Sequence, residues 1–257
     1  MSFHLHQGSS ALLVSLPHIG TEIPSELRDA YVPRALAVED TDWHLDRLYD
    51  FLPELGASVL RPHCARYVID LNRPPDDVSL YPGQNTTGLC PTRQFSDEPV
   101  YFEGHWPSEH EIKSRIEHYW RPYHQALKEQ IARLHAEHGR VLLWEGHSIR
   151  SQVPFLFEGK LPDFNIGTVA GASCSEKTQS RIEEALAAQS QFSWVSNGRF
   201  KGGYITRHYC DLANNIETVQ LELSQSTYMD EDAHLYSEVL AGQTQHLIKK
   251  LLEAALS

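Results

Sequence analysis

Two histidines and two glutamates stand where a metal-assisted reaction needs them. The stretch Leu142–Ile149, LLWEGHSI, puts Glu145 and His147 at the end of an apolar run, ALLVSLPHIG puts His18 just past Ala11–Leu16, and TVQLELSQ carries Glu222. In open α/β sheets ligands sit outside the carboxyl ends of the strands, so polar residues just past buried strands are the first to weigh. A catalytic zinc keeps three ligands of histidine and carboxylate type and leaves a fourth position for water. His18, His147 and one acidic residue could be such ligands. A further carboxylate can take a proton from the water and pass it to a leaving amine, and Glu222 is the candidate. Glu145, two residues before His147, is expected on the opposite side of the extended chain unless the turn reorients it, as a residue supporting the ligands from behind. None of these spacings has the specificity of HExxH.

The elements that must position these residues can be read in outline. Ala11–Leu16 is a strand, with Pro17 and Gly20 bracketing His18. Trp43, Leu45, Leu48, Leu52 and Leu55 recur at roughly helical spacing. Asp42 then falls near a helix's first turn, where capping is its plain reading. Ser58–Arg61 is a short strand and Arg66–Leu71 a longer one, with Arg66, Val68 and Asp70 on one face and Tyr67, Ile69 and Leu71 on the other. Asn72 and Arg73 lie at its end. An arginine fork recognises a carboxylate bidentately, so this pair is a candidate substrate clamp, against the plainer reading of a solvated surface arginine. Pro75–Pro107 is rich in Pro, Gly, Asn, Thr and Asp, a long irregular stretch expected to form a lid or rim. Ser108 opens a helix by a capping box, running to about His138 with a kink or break at Pro122.

Val141–Trp144 reads as the central strand, Asn165–Ala170 and Phe192–Val195 as others, and Ser175–Gln189 as a capped helix. Between Asn197 and Tyr209, Arg199, Lys201, Arg207 and His208 surround Gly202-Gly203. This is either an anion-binding loop or a plain hairpin turn. In Glu217–Ser224, Val219, Leu221 and Leu223 share one face and Gln220, Glu222 and Ser224 the other. If both faces are covered, Glu222 must sit in a cavity or be paired. Asp230–Leu256 closes the chain as an amphipathic helix.

At 257 residues, with no Gly/Ser/Pro linker, residues 1–257 read as a single α/β domain with a full core. A formal charge of −12 argues against nucleic-acid and anionic-membrane surfaces and leaves a small acidic substrate open, since a few arginines and a metal can make a positive pocket. Cys64, Cys90, Cys174 and Cys210 are too scattered to indicate disulfides. The N-terminus lacks the pattern of a signal peptide, and no apolar run approaches the roughly 20 residues of a membrane span. A cytoplasmic protein is expected; oligomeric state is not legible.

Seven blocks in order, PHIGTEIP, EDTDWHLDRLY, RYVIDLNRP, WRPYH, LWEGHSIRS, NGRFKGGYITRHY and QLELSQSTYM, resemble the N-formylglutamate amidohydrolase (deformylase) family. More distantly the chain is similar to zinc carboxypeptidases and aspartoacylases. The resemblance implies their phosphorylase/hydrolase-like fold, a mostly parallel or mixed central sheet flanked by helices, and zinc-dependent hydrolysis of N-formyl-L-glutamate in histidine breakdown. By motif position it implies His18, Asp42 and His147 as ligands of one Zn2+, Glu222 as general base, and Asn72 with Arg73 on a substrate carboxylate. Arg66 or Arg207 would hold the second. Carboxypeptidases take their carboxylate ligand from HxxE, but here the third residue after His18 is Thr21, which leaves Glu22 and Asp40 as alternatives to Asp42. Two other readings compete: a zinc amidohydrolase or carboxypeptidase-like enzyme on another N-acyl amino acid, and a metal-free binding protein for an acidic metabolite.

Overall fold

Strand alternation decides where the polar residues go. In the computed structural model, which describes residues 2–257, seven segments form one mixed sheet. They are β1 (Phe3–His6), β2 (Leu12–Ser15), β3 (Ser58–Pro62), β4 (Val141–Ile149), β5 (Phe164–Gly167), β6 (Trp194–Ser196) and β7 (Ile216–Ser224). Their spatial order is β1-β3-β2-β4-β7-β5-β6. β2 pairs in parallel with β3 and β4, and β4 with β7, whereas β1 and β5 run antiparallel to β3 and β7. The β4–β7 ladder sets His147 opposite Glu222 and Glu145 opposite Gln220.

Successive side chains of a strand point to opposite faces. Leu142, Trp144, Val219 and Leu221 therefore share one face, where they enter a core with α1 (Leu45–Leu48), α4 (Glu176–Ala187) and α6 (Glu238–Leu256). The other face starts apolar, with Val141 and Leu143 against α3 (Arg121–His138). Towards the carboxyl ends the same face turns polar and presents Glu145, His147, Gln220 and Glu222. The short helix α5 (Tyr204–His208) packs against β4 and β7 near them, and α2 (Glu109–Arg115) precedes α3 in the chain. Serine hydroxyls start three helices by accepting a backbone N–H: Ser108 from Glu111, Ser175 from Thr178 and Ser237 from Leu240.

Several segments depart from the expectation. Arg66–Leu71 is not a strand: Val68 N–H turns back to Ala65 O at 2.9 Å, and all six side chains are buried, so their alternation carries no face information. The strand beginning at Val141 runs on to Ile149, so Glu145 and His147 lie within it and not in a following turn. The helix after Asp42 is cut short. Its N-cap is His44, in the left-handed region at φ 60°, and the next segment, Leu52–Leu55, is a 3-10 turn that Gly56 ends in the left-handed region at φ 62°. Asp42 caps nothing.

Between α2 and α3, Ile116–Trp120 forms a π turn. Pro122 lacks the N–H that would continue the α-helical ladder, and the wider turn absorbs the gap. The last helix starts at Ser237. Before it, Asp230 accepts the N–H groups of Asp232 and Ala233, each at 3.0 Å, which turns the chain into a short ribbon of β8 (Met229–Asp230) and β9 (Leu235–Tyr236). Gly202-Gly203 leads into α5 rather than a hairpin. Among the described residues no helix is long and apolar enough to cross a membrane, and the four cysteines are free.

Candidate active site and metal centre

His18 leaves the sheet just past β2, His147 projects from β4, and Asp42 is brought to them by a main-chain bond, its N–H donating to His18 O at 3.0 Å. One donor atom from each of the three lies within 4.8 Å of the others, and all three residues are buried. Asp40 instead accepts Phe95 N–H at 2.8 Å, and Glu22 is exposed. The structure thus brings Asp42 to the histidines and turns the other two carboxylates elsewhere.

A carboxylate behind each ring fixes its tautomer. His18 Nε2–H donates to Asp70 Oδ1 at 2.7 Å, and His147 Nε2–H donates to Glu145 Oε1 at 2.7 Å. Both Nδ1 atoms then face inward, 3.8 and 3.0 Å from Asp42 Oδ2. Without a cation a proton on His147 Nδ1 bridges to Asp42 Oδ2, and a metal would take that proton's place among the same three donor atoms. That donor set suits a divalent cation, and the carboxylate–histidine pairs behind it are the usual support of such a centre. The two rings differ in charge when no metal is bound. Burial and Arg66 lower the His18 pKa, keeping that ring neutral, while at His147 burial is overcome by Glu145 and Asp42, which raise its pKa well above the ordinary value.

Glu145 is therefore on the same side of β4 as His147, not the opposite one: residues two apart on a strand share a face. Its second oxygen accepts Thr206 N–H at 3.1 Å and the Thr206 hydroxyl, which ties α5 to the site. Asp70 escapes a reading of the sequence. It is fully buried, bonds His18 through Oδ1 and accepts Arg66 Nη2 at 2.8 Å through Oδ2. Burial would raise its pKa, but His18 and Arg66 outweigh that and hold it well below the usual carboxylate range. The available signal was an acid inside the apolar run YVIDL, which demands a partner wherever it is buried.

Glu222 lines the same cleft, opposite His147 across the ladder, and its side chain has no hydrogen-bond partner among the described residues. Burial pushes its pKa up to about 8, with Asp42 adding to the rise and His147 opposing it. The cleft encloses about 590 Å³ including its mouth. Asn72 is buried at its wall: its Nδ2 lies 3.1 Å from His147 Nε2, and its Oδ1 accepts Ile205 N–H at 2.9 Å. Gly203 leaves room for this, since a Cβ there would come within 2.2 Å of Asn72 Nδ2.

Arg66 and Arg73 line the cleft, but Arg207 does not. Its Nε donates to Gly202 O at 2.9 Å, and it lies over the Tyr81 ring. The third arginine in the wall is Arg199, from the same basic loop but nearer β6. In the sequence it is one of several cations of that loop, and loop spacing does not say which of them turns inward.

Comparison with known proteins gives the family. Residues 10–229 match the family model for N-formylglutamate amidohydrolase. The chain is 51% identical over 253 residues to an N-formylglutamate deformylase of Pseudomonas putida, covering 98% of this chain and 94% of the relative. It is also 51% identical over 252 residues to the protein of the same name from Pseudomonas aeruginosa, with the same coverage. A crystal structure of N-formylglutamate amidohydrolase from Ralstonia eutropha JMP134 superposes with a TM-score of 0.83 at 25% identity, covering 98% of this chain and 97% of that one. A gene product of Agrobacterium tumefaciens, at 18% identity and TM-score 0.74 over 100% of this chain and 96% of that one, shares the fold. Since the family model spans every element that carries the site, from His18 to Glu222, and relatives of that family share half the residues along almost the whole length, the chain belongs to the N-formylglutamate amidohydrolase family.

Proposed function

We propose that the protein hydrolyses N-formyl-L-glutamate to formate and L-glutamate, with one divalent cation, zinc by preference, held by His18, Asp42 and His147. The names of its half-identical relatives support the reaction. The observation that carries the metal and the chemistry is the convergence of those three donors beside an unpartnered, buried Glu222. The chemistry zinc supplies when bound in such a site is polarisation of the formyl carbonyl and a fall in the pKa of a coordinated water towards about 7.

The chain's own residues supply the rest. Glu222, as the carboxylate, can take a proton from the attacking water as a new C–O bond forms; a cation bound beside it would favour that ionised form against the burial that opposes it. It then gives that proton to the glutamate nitrogen as the C–N bond breaks, so formate and the free amine leave. Asp70 and Glu145 keep both imidazoles in one tautomer throughout. Arg66, Arg73 and Arg199 make the cleft positive within an acidic protein, which attracts and orients a dianionic substrate.

The test is formate release from N-formyl-L-glutamate by the purified protein, before chelation, after it, and with zinc restored. Release that is lost on chelation and regained with zinc is expected. Release indifferent to chelation, from protein shown to be metal-free, would refute the metal's part; no release from zinc-loaded folded protein would refute the substrate.

A further inference from the structure

The three arginines of the cleft are held in different ways. Arg66 donates to Asp70 and lies 3.9 Å from Asp42, so its charge is matched by the ligand cluster. Among the described residues neither Arg73 nor Arg199 has a carboxylate in ion-pair range. Their donors go to main-chain carbonyls instead. Arg73 gives Nε to Thr87 O at 2.8 Å and Nη1 to Asn72 O at 3.3 Å; Arg199 gives Nε to Leu156 O at 2.9 Å and Nη2 to Asn85 O at 3.0 Å. Carbonyl dipoles orient a guanidinium without neutralising it, and each fork keeps one terminal amino group free of protein partners. Two oriented cations therefore share one cleft with no anion assigned to either. Burial lowers the Arg199 pKa from its ordinary value, with Arg73 adding to the fall and Tyr81 and Glu222 opposing it.

We propose that Arg199 is the residue that selects an acidic side chain, reading the γ-carboxylate of the substrate while Arg73 holds the α-carboxylate. This deepens the reading above and rests on it. The assignment of ends follows from connectivity. Arg73 adjoins Asn72, whose amide is 3.1 Å from His147, and the α-carboxylate is the one nearer the scissile amide along the substrate. Arg199 is seated by Leu156 and Asn85, and Tyr81 lies against it with its ring centroid 5.6 Å from the guanidinium. Tyr81 OH in turn donates to Gly202 O at 2.8 Å. The irregular segment carrying Tyr81, Asn85 and Thr87 thus supplies one carbonyl to each fork, and so ties the rim of the cleft to its selectivity.

The experiment compares kcat/KM for N-formyl-L-glutamate and N-formyl-L-glutamine, which share the α-carboxylate and differ only in the side-chain charge. The unaltered protein should prefer the acid by about 10²–10³-fold, the scale of a charge-assisted contact in a desolvated site. Arg199→Met should collapse that preference to within about tenfold, chiefly by loss on the acid. Arg199→Lys should fall between, since the ammonium keeps the charge but not the fork. Arg73→Met should depress both substrates together and keep the preference. An undiminished preference in Arg199→Met overturns the proposal, as does parallel loss of both substrates in Arg199→Met and Arg199→Lys, which would make the residue structural. If the unaltered protein releases formate from neither substrate, the reading beneath the proposal is what fails.

Discussion

Asp70→Asn tests how much of the site's order comes from a residue that touches no substrate. Asp70 is fully buried between His18, Arg66 and the Asn72 N–H, the last at 2.8 Å. Asparagine keeps the shape, but its amide nitrogen must face either the Arg66 donors or His18 Nε2–H, donor against donor. At an effective dielectric constant of about 20, Arg66 and Asp70 at 2.8 Å attract by about 6 kcal/mol, and Arg66 and Asp42 at 3.9 Å by about 4 kcal/mol. Removing one partner of a buried pair costs about 3–5 kcal/mol net. Because Asp42 stays beside Arg66, the loss should lie near the lower end, about 3 kcal/mol. For a chain of this length that lowers Tm by roughly 6–12 °C. Zinc affinity should fall by about 10–100-fold, since His18 loses the carboxylate that sets its tautomer. Thermal unfolding of metal-free protein and zinc competition against a chelator read the two effects separately. An Asp70→Asn protein with unaltered Tm and zinc affinity would refute the argument that this buried carboxylate organises both Arg66 and His18.

Three further outcomes are expected. Glu222→Gln should retain zinc and lose about 10²–10⁴-fold in kcat, measured by formate release; near-normal turnover would remove Glu222 as the proton shuttle. Gly203→Ala should cost about 1–3 kcal/mol and lower activity together, because its methyl group collides with the Asn72 amide and the displaced amide lies against His147. His124, buried with its pKa lowered to about 3, is neutral in the fold but protonates near 6.5 once unfolded. The stability it confers is complete above about pH 6.5 and drains away as pH falls, by about 2 kcal/mol at pH 5. His124→Gln should flatten that part of the denaturation profile between pH 7 and 5, and an unchanged slope would show that other groups set it.

Much of this arrangement was legible because it follows from strand periodicity. Leu142 and Trp144, or Val219 and Leu221, announce one buried face, and the polar residues between them can only emerge on the other. Periodicity misleads where burial is complete on every side. Arg66–Leu71 alternates like a strand, yet its main chain turns and its acid and arginine satisfy each other. Glu145 is misplaced if the strand is ended at Trp144, when it continues through His147. The choice among Glu22, Asp40 and Asp42 depends on a main-chain bond to His18, and the inward turn of Arg199 on carbonyls from two distant loops. Neither leaves a local trace in composition or spacing.

The nine-residue pairing of β4 with β7 also governs how the molecule comes to be active. A slip of one residue would send His147 or Glu222 through to the apolar face, so no neighbouring register gives a partly competent enzyme. The two strands are separated by two other strands and two helices along the chain, and such non-local pairing closes late and slowly compared with a helix such as α6. Returning activity during refolding therefore dates the zipping of this one ladder, and a far-ultraviolet helical signal, dominated by α3 and α6, should run ahead of it.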